Sequence, residues 1–253
     1  MSGTLYVIGT GPGSPEQITL EAQAAIAASS HFFGYKPYIE RLNLSPDQVA
    51  VPSDNREELD RARAALELAA EGNAVAMVSG GDPGVFAMAA AVCEAIDTGE
   101  PDWRGIELII VPGVTAMLAT AARIGAPLGN DFCAISLSDN LKPWAIIDKR
   151  IRAAAGAGFA IAFYNPISKS RPWQLGKALE ILREILPPET VVSIGRGVGV
   201  HRGSIGRLAL SEVKPETIDM STCLIIGNAL TRVIERPEKP DLVYTPRWVP
   251  EHG

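Results

Sequence analysis

Glycines placed directly after apolar runs, with a single aspartate among them, are the residues most able to do chemistry in this chain. Behind the short run Leu5 to Ile8 stands "GTGPG", with glycines at 9, 11 and 13. A second run, Ala74 to Val78, ends in "SGGDPG", where Asp82 follows Gly80 and Gly81 and precedes Val85. A third, Ile106 to Val111, ends in "PGVTA" and brings Thr115 and Ala116. Glycines let a ligand approach the backbone, and an aspartate beside them can accept from an ammonium or hydroxyl group. Asp82 reads equally as a cap for a helix after Pro83.

Such loops first suggest a nucleotide's phosphates, and the residues argue against that ligand. The dinucleotide fingerprint is G-x-G-x-x-G, and Ser14 stands where its third glycine belongs. Pro12 removes a backbone N–H that a phosphate cradle would use, and no Gly-Lys-Ser/Thr follows. Ser14, Pro15 and Gln17 read instead as the cap, first residue and capping-box partner of a helix.

Standard catalytic devices are missing, since neither H-E-x-x-H nor G-x-S-x-G occurs. His31 opens "HFFGY" and reads as structural, whereas His201, in "GVHRGS", is a candidate substrate contact. Cys93, Cys133 and Cys223 are scattered singly, which gives neither a disulfide framework nor metal-ligand spacing. No metal is expected, and a reducing cytoplasmic setting fits. Glycine-lined loops without a nucleophile suit a transfer in which both reactants bring their own reactivity. Catalysis is then orientation plus electrostatics. Methyl transfer from a sulfonium donor is such a reaction.

The elements that must position these loops follow from the hydrophobic pattern. Up to about Leu128, apolar runs alternate with helical stretches such as Glu57 to Glu71, which predicts a mostly parallel sheet. From Gly129 the texture changes. Strands are expected at Phe132–Ser138, Phe159–Pro166, Thr190–Gly197, Ser204–Leu210 and Thr222–Ile226, which suggests a mixed sheet. Helices start near Trp144 and Pro172. Residues 237–253 are rich in proline and read as a tail packed on the surface. The expectation is an α/β chain of two domains, 1–128 and 129–236, plus that tail.

Composition narrows the partners. The 253 residues are 47% hydrophobic and 21% charged, ordinary values for a globular protein. A net charge of −6 speaks against nucleic acid, which needs a basic face. No apolar run approaches the ~18 residues of a membrane helix, and the first residues lack a secretory n-region and h-region.

Taken in order, "GTGPGSPEQITL", "SGGDPGVF", "VPGVTA", "YNP" and "LIIGN" resemble the tetrapyrrole (corrin and porphyrin) methyltransferases. "GYKPYIERL" and the block "DFCAISLSDNLKPW", followed by "FYNPISKSRPWQL", are similar to the family's ring-contracting branch. The resemblance implies two α/β domains with an active-site trough between them, and S-adenosylmethionine as the methyl donor. It implies donor contacts from Pro12, Gly80, Gly81, Asp82, Val85, Thr115, Ala116, Tyr164, Asn165, Gly227 and Asn228. The Gly11–Gly13 loop with Ser14 would face the tetrapyrrole. Lys142, Lys169, Arg171, Arg196 and Arg202, in or beside the marked loops, are candidate partners for its carboxylates. The implied reaction is methylation of precorrin-3B at carbon 17 with contraction of the macrocycle, on the route to cobalamin. A homodimer and transient contacts with neighbouring enzymes of that route are also implied. Asn130, in "PLGNDF", stands where this branch commonly has histidine, which makes it the candidate acid–base position and puts that role in doubt. A methylase of another ring position and a corrin carrier without catalysis are the alternatives.

Overall fold

A computed structural model describes residues 3–54, 57–168, 171–200 and 203–249. They form two compact units. The first runs to Thr115 and takes in Gly199; the second begins at Ala116.

The first unit contains β1 (Thr4–Gly9), α1 (Leu20–Ala28), β2 (His31–Tyr35), α2 (Lys36–Ile39) and β3 (Val49–Ser53). It continues with α3 (Glu58–Ala70), β4 (Ala74–Ser79), α4 (Met88–Thr98) and β5 (Glu107–Val111). All strand pairings are parallel, in the order β3-β2-β4-β1-β5. Strands covered on both faces read as near-continuous apolar runs. β1 and β4 are such strands. Leu5, Val7, Val75 and Met77 pack on one face against Ala62, Leu66 and Ala69 of α3 and Val92 of α4. Ile8, Ala76 and Val78 pack on the other with Phe32 and Ala22 and Ala25 of α1.

The helix expected from Ser14 starts later. Pro15–Gln17 makes only a 3-10 turn, and the Ser14 hydroxyl turns to the Glu16 carboxylate. α1 is capped by Thr19, whose Oγ1 accepts from the Ala22 N–H at 3.1 Å.

The second unit opens with α5 (Ala116–Ile124), β6 (Gly125–Ala126), β7 (Phe132–Ser136), α6 (Trp144–Gly156) and β8 (Ala160–Tyr164). Then come α7 (Gln174–Ile185), β9 (Val191–Arg196), β10 (Ser204–Ala209), β11 (Thr222–Ile226), β12 (Arg232–Ile234) and β13 (Leu242–Tyr244). Its main sheet has the order β10-β9-β11-β8-β7, with β7 and β8 parallel and the other pairs antiparallel. The Leu175, Leu179 and Leu182 stripe of α7 is fully buried against Ile147 and Ile151 of α6 and Phe163 of β8.

The break falls at Thr115 rather than near Leu128 because α5 packs on β9 and β11 of the second sheet. Ala121 of α5 lies in one cluster with Ala162 and Ile225. The proline-rich stretch is also more than a surface tail. Leu242–Tyr244 pairs with β12 and β6, and the buried Thr245 hydroxyl donates to the Pro127 carbonyl at 2.7 Å. Flanking prolines hid that short strand.

Leu179 is buried where α6, α7 and the second sheet meet. Leu179→Ala is expected to lower the unfolding free energy by about 2–5 kcal/mol, the usual cost of such a cavity. Urea titration with an unchanged slope would give this value.

Candidate functional site

Because β1 lies between β4 and β5, three loops leave the carboxyl ends of neighbouring strands, where open α/β sheets bind ligands. The backbone joins these loops. Thr10 N–H donates to Ser79 O at 2.9 Å, Gly11 N–H to Gly81 O at 3.1 Å, and Gly81 N–H to Gly11 O at 2.8 Å. Asp82 extends the join. Its Oδ1 accepts from Gly84 N–H at 2.8 Å and its Oδ2 from Gly113 N–H at 3.0 Å. The aspartate thus binds backbone of its own loop and of the loop after β5. As a cap it serves Gly84 and not α4, which starts at Met88. These two bonds use two of the roughly four acceptor directions of a carboxylate.

Glycine is required at two of these points by geometry. Gly81 has φ of +67°, a left-handed conformation that side chains disfavour. A Cβ on Gly113 would come within 2.2 Å of the Gly81 carbonyl oxygen. The open side of Gly81 faces Thr115, whose Cα is 3.7 Å from where a Cβ would stand. Val85 closes the turn, donating to Asp82 O at 3.2 Å. The Gly11–Ser14 loop is packed between Gln17 and Gly199–Val200, with Gly199 close against the Pro12 carbonyl.

The charge of these loops discriminates between ligands. Residues 9–13, 79–84 and 112–115 hold one carboxylate and neither lysine nor arginine. Within these three segments a pyrophosphate would find no lysine or arginine, with the Arg41 guanidinium bordering the Gly13 end, whereas a positively charged sulfonium meets Asp82 and backbone dipoles. The residues fit a sulfonium donor.

In the second unit, Tyr164 and Asn165 end β8. The Tyr164 hydroxyl oxygen accepts from Met117 N–H at 3.0 Å, which satisfies a free donor in the first turn of α5, next to Ala116. Asn165, at φ of 50°, donates from Nδ2 to Ser136 Oγ at 3.0 Å and links the ends of β7 and β8. Gly227 and Asn228 do not join them. β11 is antiparallel to β8, so its carboxyl end lies beside the start of β8, where Asn228 Nδ2 donates to Gly158 O at 2.8 Å. Tyr164 lies at the far end of that strand, about 15 Å away at ~3.3 Å per residue. Asn228 Oδ1 accepts from Leu230 N–H, so the side chain secures the turn into β12. The residues that do share the edge with Asn165 are Arg196, at the end of β9, and Thr222, at the start of β11.

Of the three expected cations among the described residues, two are ion-paired. Arg171 pairs with Asp139, which Gln174 also contacts at 3.1 Å. Arg196 pairs with Asp219 at 2.6 Å. Burial, and then the like charge of Arg150, hold the Lys142 ammonium below its ordinary pKa. Lys169, Arg202 and His201 lie outside the described residues. Asn130 is a fastener. Its Nδ2 donates to Pro246 O at 3.1 Å and Arg247 O at 3.4 Å, and its Oδ1 accepts from Asp131 N–H at 2.7 Å.

Two residues of "GYKPYIERL" had no chemical role in the sequence reading. The Tyr38 ring backs onto Gly80, where a Cβ would come within 2.6 Å of its Cζ. The Arg41 guanidinium lies 5.8 Å from the centre of that ring. Burial raises the Tyr38 phenol above its ordinary pKa, and the charge of Arg41 offsets part of the rise. The three-residue spacing of an aromatic in α2 and a cation in the turn that follows was the available signal.

The fold and these loops define a methylase. The family model described as Tetrapyrrole (Corrin/Porphyrin) Methylases matches residues 4–213, and the chain belongs to this family. Among its relatives, the precorrin-3B C(17)-methyltransferase of a Sinorhizobium species is 64% identical over 248 residues, 98% of each chain. The crystal structure of the methyltransferase CobJ has a TM-score of 0.91 at 50% identity, covering 97% of this chain and all of that one. The uroporphyrin-III C-methyltransferase of Thermus thermophilus, solved with S-adenyl homocysteine, shares the fold at 22% identity and a TM-score of 0.67, covering 89% of this chain and 97% of that one. The chain is a methyltransferase.

Among the described residues, no group of three or more His, Cys, Asp or Glu side chains gathers as a metal site, and no helix is long and apolar enough to cross a membrane. The thiols offer no nucleophile near the loops. Burial pushes Cys223 up to about 12 and raises Cys133, whereas Cys93 is exposed. At pH 8 a thiol reagent is therefore expected to modify Cys93 first and Cys223 only on unfolding, since the thiolate is the reactive form. Peptide mass mapping gives the order. For Asp82→Asn, one of the two backbone amides faces an N–H₂ and loses its acceptor. The expected loss is about 1–3 kcal/mol of stability, read by chemical denaturation.

Proposed function

We propose that this methyltransferase transfers a methyl group from S-adenosylmethionine to carbon 17 of precorrin-3B, with contraction of the macrocycle to precorrin-4 in cobalamin biosynthesis. The observation that carries the reading is the 64% identity, over nearly the whole of both chains, to a relative of that name. The cation-free glycine loops with Asp82 support the sulfonium donor.

When bound, the donor supplies a methyl carbon made electrophilic by its positive sulfur. The protein's own part is to bind and orient. Gly80, Gly81 and Thr115 would present backbone to the donor, and Asp82 would supply the negative charge that a sulfonium calls for. Pro12, Val85 and Ala116 line the same loops in this reading, and Tyr164 with Asn165 completes the donor contacts. The Gly11–Ser14 loop faces the tetrapyrrole, whose enamine carbon provides the electron pair. Holding carbon and methyl in line is the main source of rate. No acid or base is assigned, because Asn130 cannot titrate and is bound to backbone. A homodimer in the cytoplasm, in transient contact with neighbouring pathway enzymes, belongs to the same reading.

The test is incubation with precorrin-3B and donor labelled in the methyl carbon, followed by mass and magnetic resonance of the product. The expected result is one label at carbon 17 of a contracted ring. A label at another carbon would reassign the enzyme to a different ring position. Tight binding without transfer would make it a carrier.

A further inference from the structure

We propose that Arg41 and the cavity beside it receive one carboxylate arm of the tetrapyrrole; this rests on the substrate reading above. The cavity, of about 180 Å³, lies within the first unit at the carboxyl end of β1. Thr10, Gly13, Ile18, Arg41, Leu42 and Asn43 are among the residues that line it. Whole ligand sites usually occupy ~300–1,000 Å³, so this space takes a substituent and not a macrocycle. Its lining suits an arm with an apolar stem and an anionic tip. Ile18 and Leu42 meet methylenes, while Arg41 and Asn43 supply donors.

Arg41 is well placed for the tip. Its guanidinium rests over the Tyr38 ring, an arrangement that orients the group, and among the described residues its N–H groups meet no acceptor. Its Nη1 lies 3.5 Å from where a Cβ on Gly13 would stand, so it borders the loop assigned to the substrate. Among the described residues Arg41 forms no ion pair. The neighbouring Glu40 reaches back to Lys36 at 3.8 Å, and Glu16 is held by the Ser14 hydroxyl. Arg171 and Arg196 are, by contrast, already paired with aspartates. Arg41, in the turn after α2, is the residue assigned to this arm, on the same unit as the glycine loops.

The test compares wild type with Arg41→Gln and Arg41→Lys, titrating each with precorrin-3B and, separately, with S-adenosylhomocysteine. Arg41→Gln is expected to weaken tetrapyrrole binding about 10–100-fold, the value of a charge-assisted bond. It should also flatten the salt dependence and leave S-adenosylhomocysteine affinity within about 3-fold. Arg41→Lys, which keeps the charge and loses the fork, should fall between them. Equal tetrapyrrole affinity for all three proteins would overturn the inference and leave the substrate reading standing. Parallel loss of both ligands in Arg41→Gln would also overturn it, because the residue would then be structural. A wild type that binds S-adenosylhomocysteine and no tetrapyrrole would overturn both the reading and the inference.

Discussion

The reciprocal backbone bonds between Gly11 and Gly81, extended by Asp82 to Gly113, are the constraint on which the first unit's site depends. Three loops that parallel topology brings side by side would otherwise move independently, because loops carry the least local stability in a fold. Joined through main chain, they present carbonyls and amides at fixed positions. The requirement for glycine follows from the join. Backbones that approach to hydrogen-bonding distance leave no room for a Cβ, as the Gly113–Gly81 contact shows.

That arrangement explains why so few reactive side chains surround it. A reaction between an activated methyl and a nucleophilic carbon needs alignment more than proton transfer, so rigid backbone serves where other enzymes place histidine or serine. Charge is then distributed by task. The glycine loops carry Asp82 and no cation. The polar groups at the ends of β7 and β8 are used to bind one another, with Tyr164 holding the start of α5 and Asn165 holding Ser136.

Much of this was legible in the sequence, for identifiable reasons. Strands β1 and β4 are buried apolar runs and β5 is a partly exposed one, each followed closely by glycine, so pattern and punctuation agreed. The stripe of α7 was equally plain. The errors came where tertiary contacts decided. Gly227 and Asn228 follow a strand, as Tyr164 and Asn165 do, but the direction of β11 in the sheet sends them to the other end. A sequence does not display strand direction in a mixed sheet. Asn130 looked chemical because of its place, and its partners, Pro246 and Arg247, are more than a hundred residues away. Ser14 lost its cap role to Thr19 because prolines at 12 and 15 shape the turn between them. Arg41 was overlooked because its significance lies in its place over Tyr38 and beside Gly13.

The central position of β1 has a consequence for biosynthesis. β1 is translated well before the two strands that flank it. Thr10 meets Ser79 across 69 positions, and Thr4 meets Glu107 across 103. Such long-range pairing is slow to form and leaves apolar edges exposed meanwhile. Gly199, which packs on Pro12 and Gly13, arrives later still. The nascent segment that carries β1 is therefore a natural client for chaperones, and the glycine loops acquire their final geometry only after Gly199 has been translated.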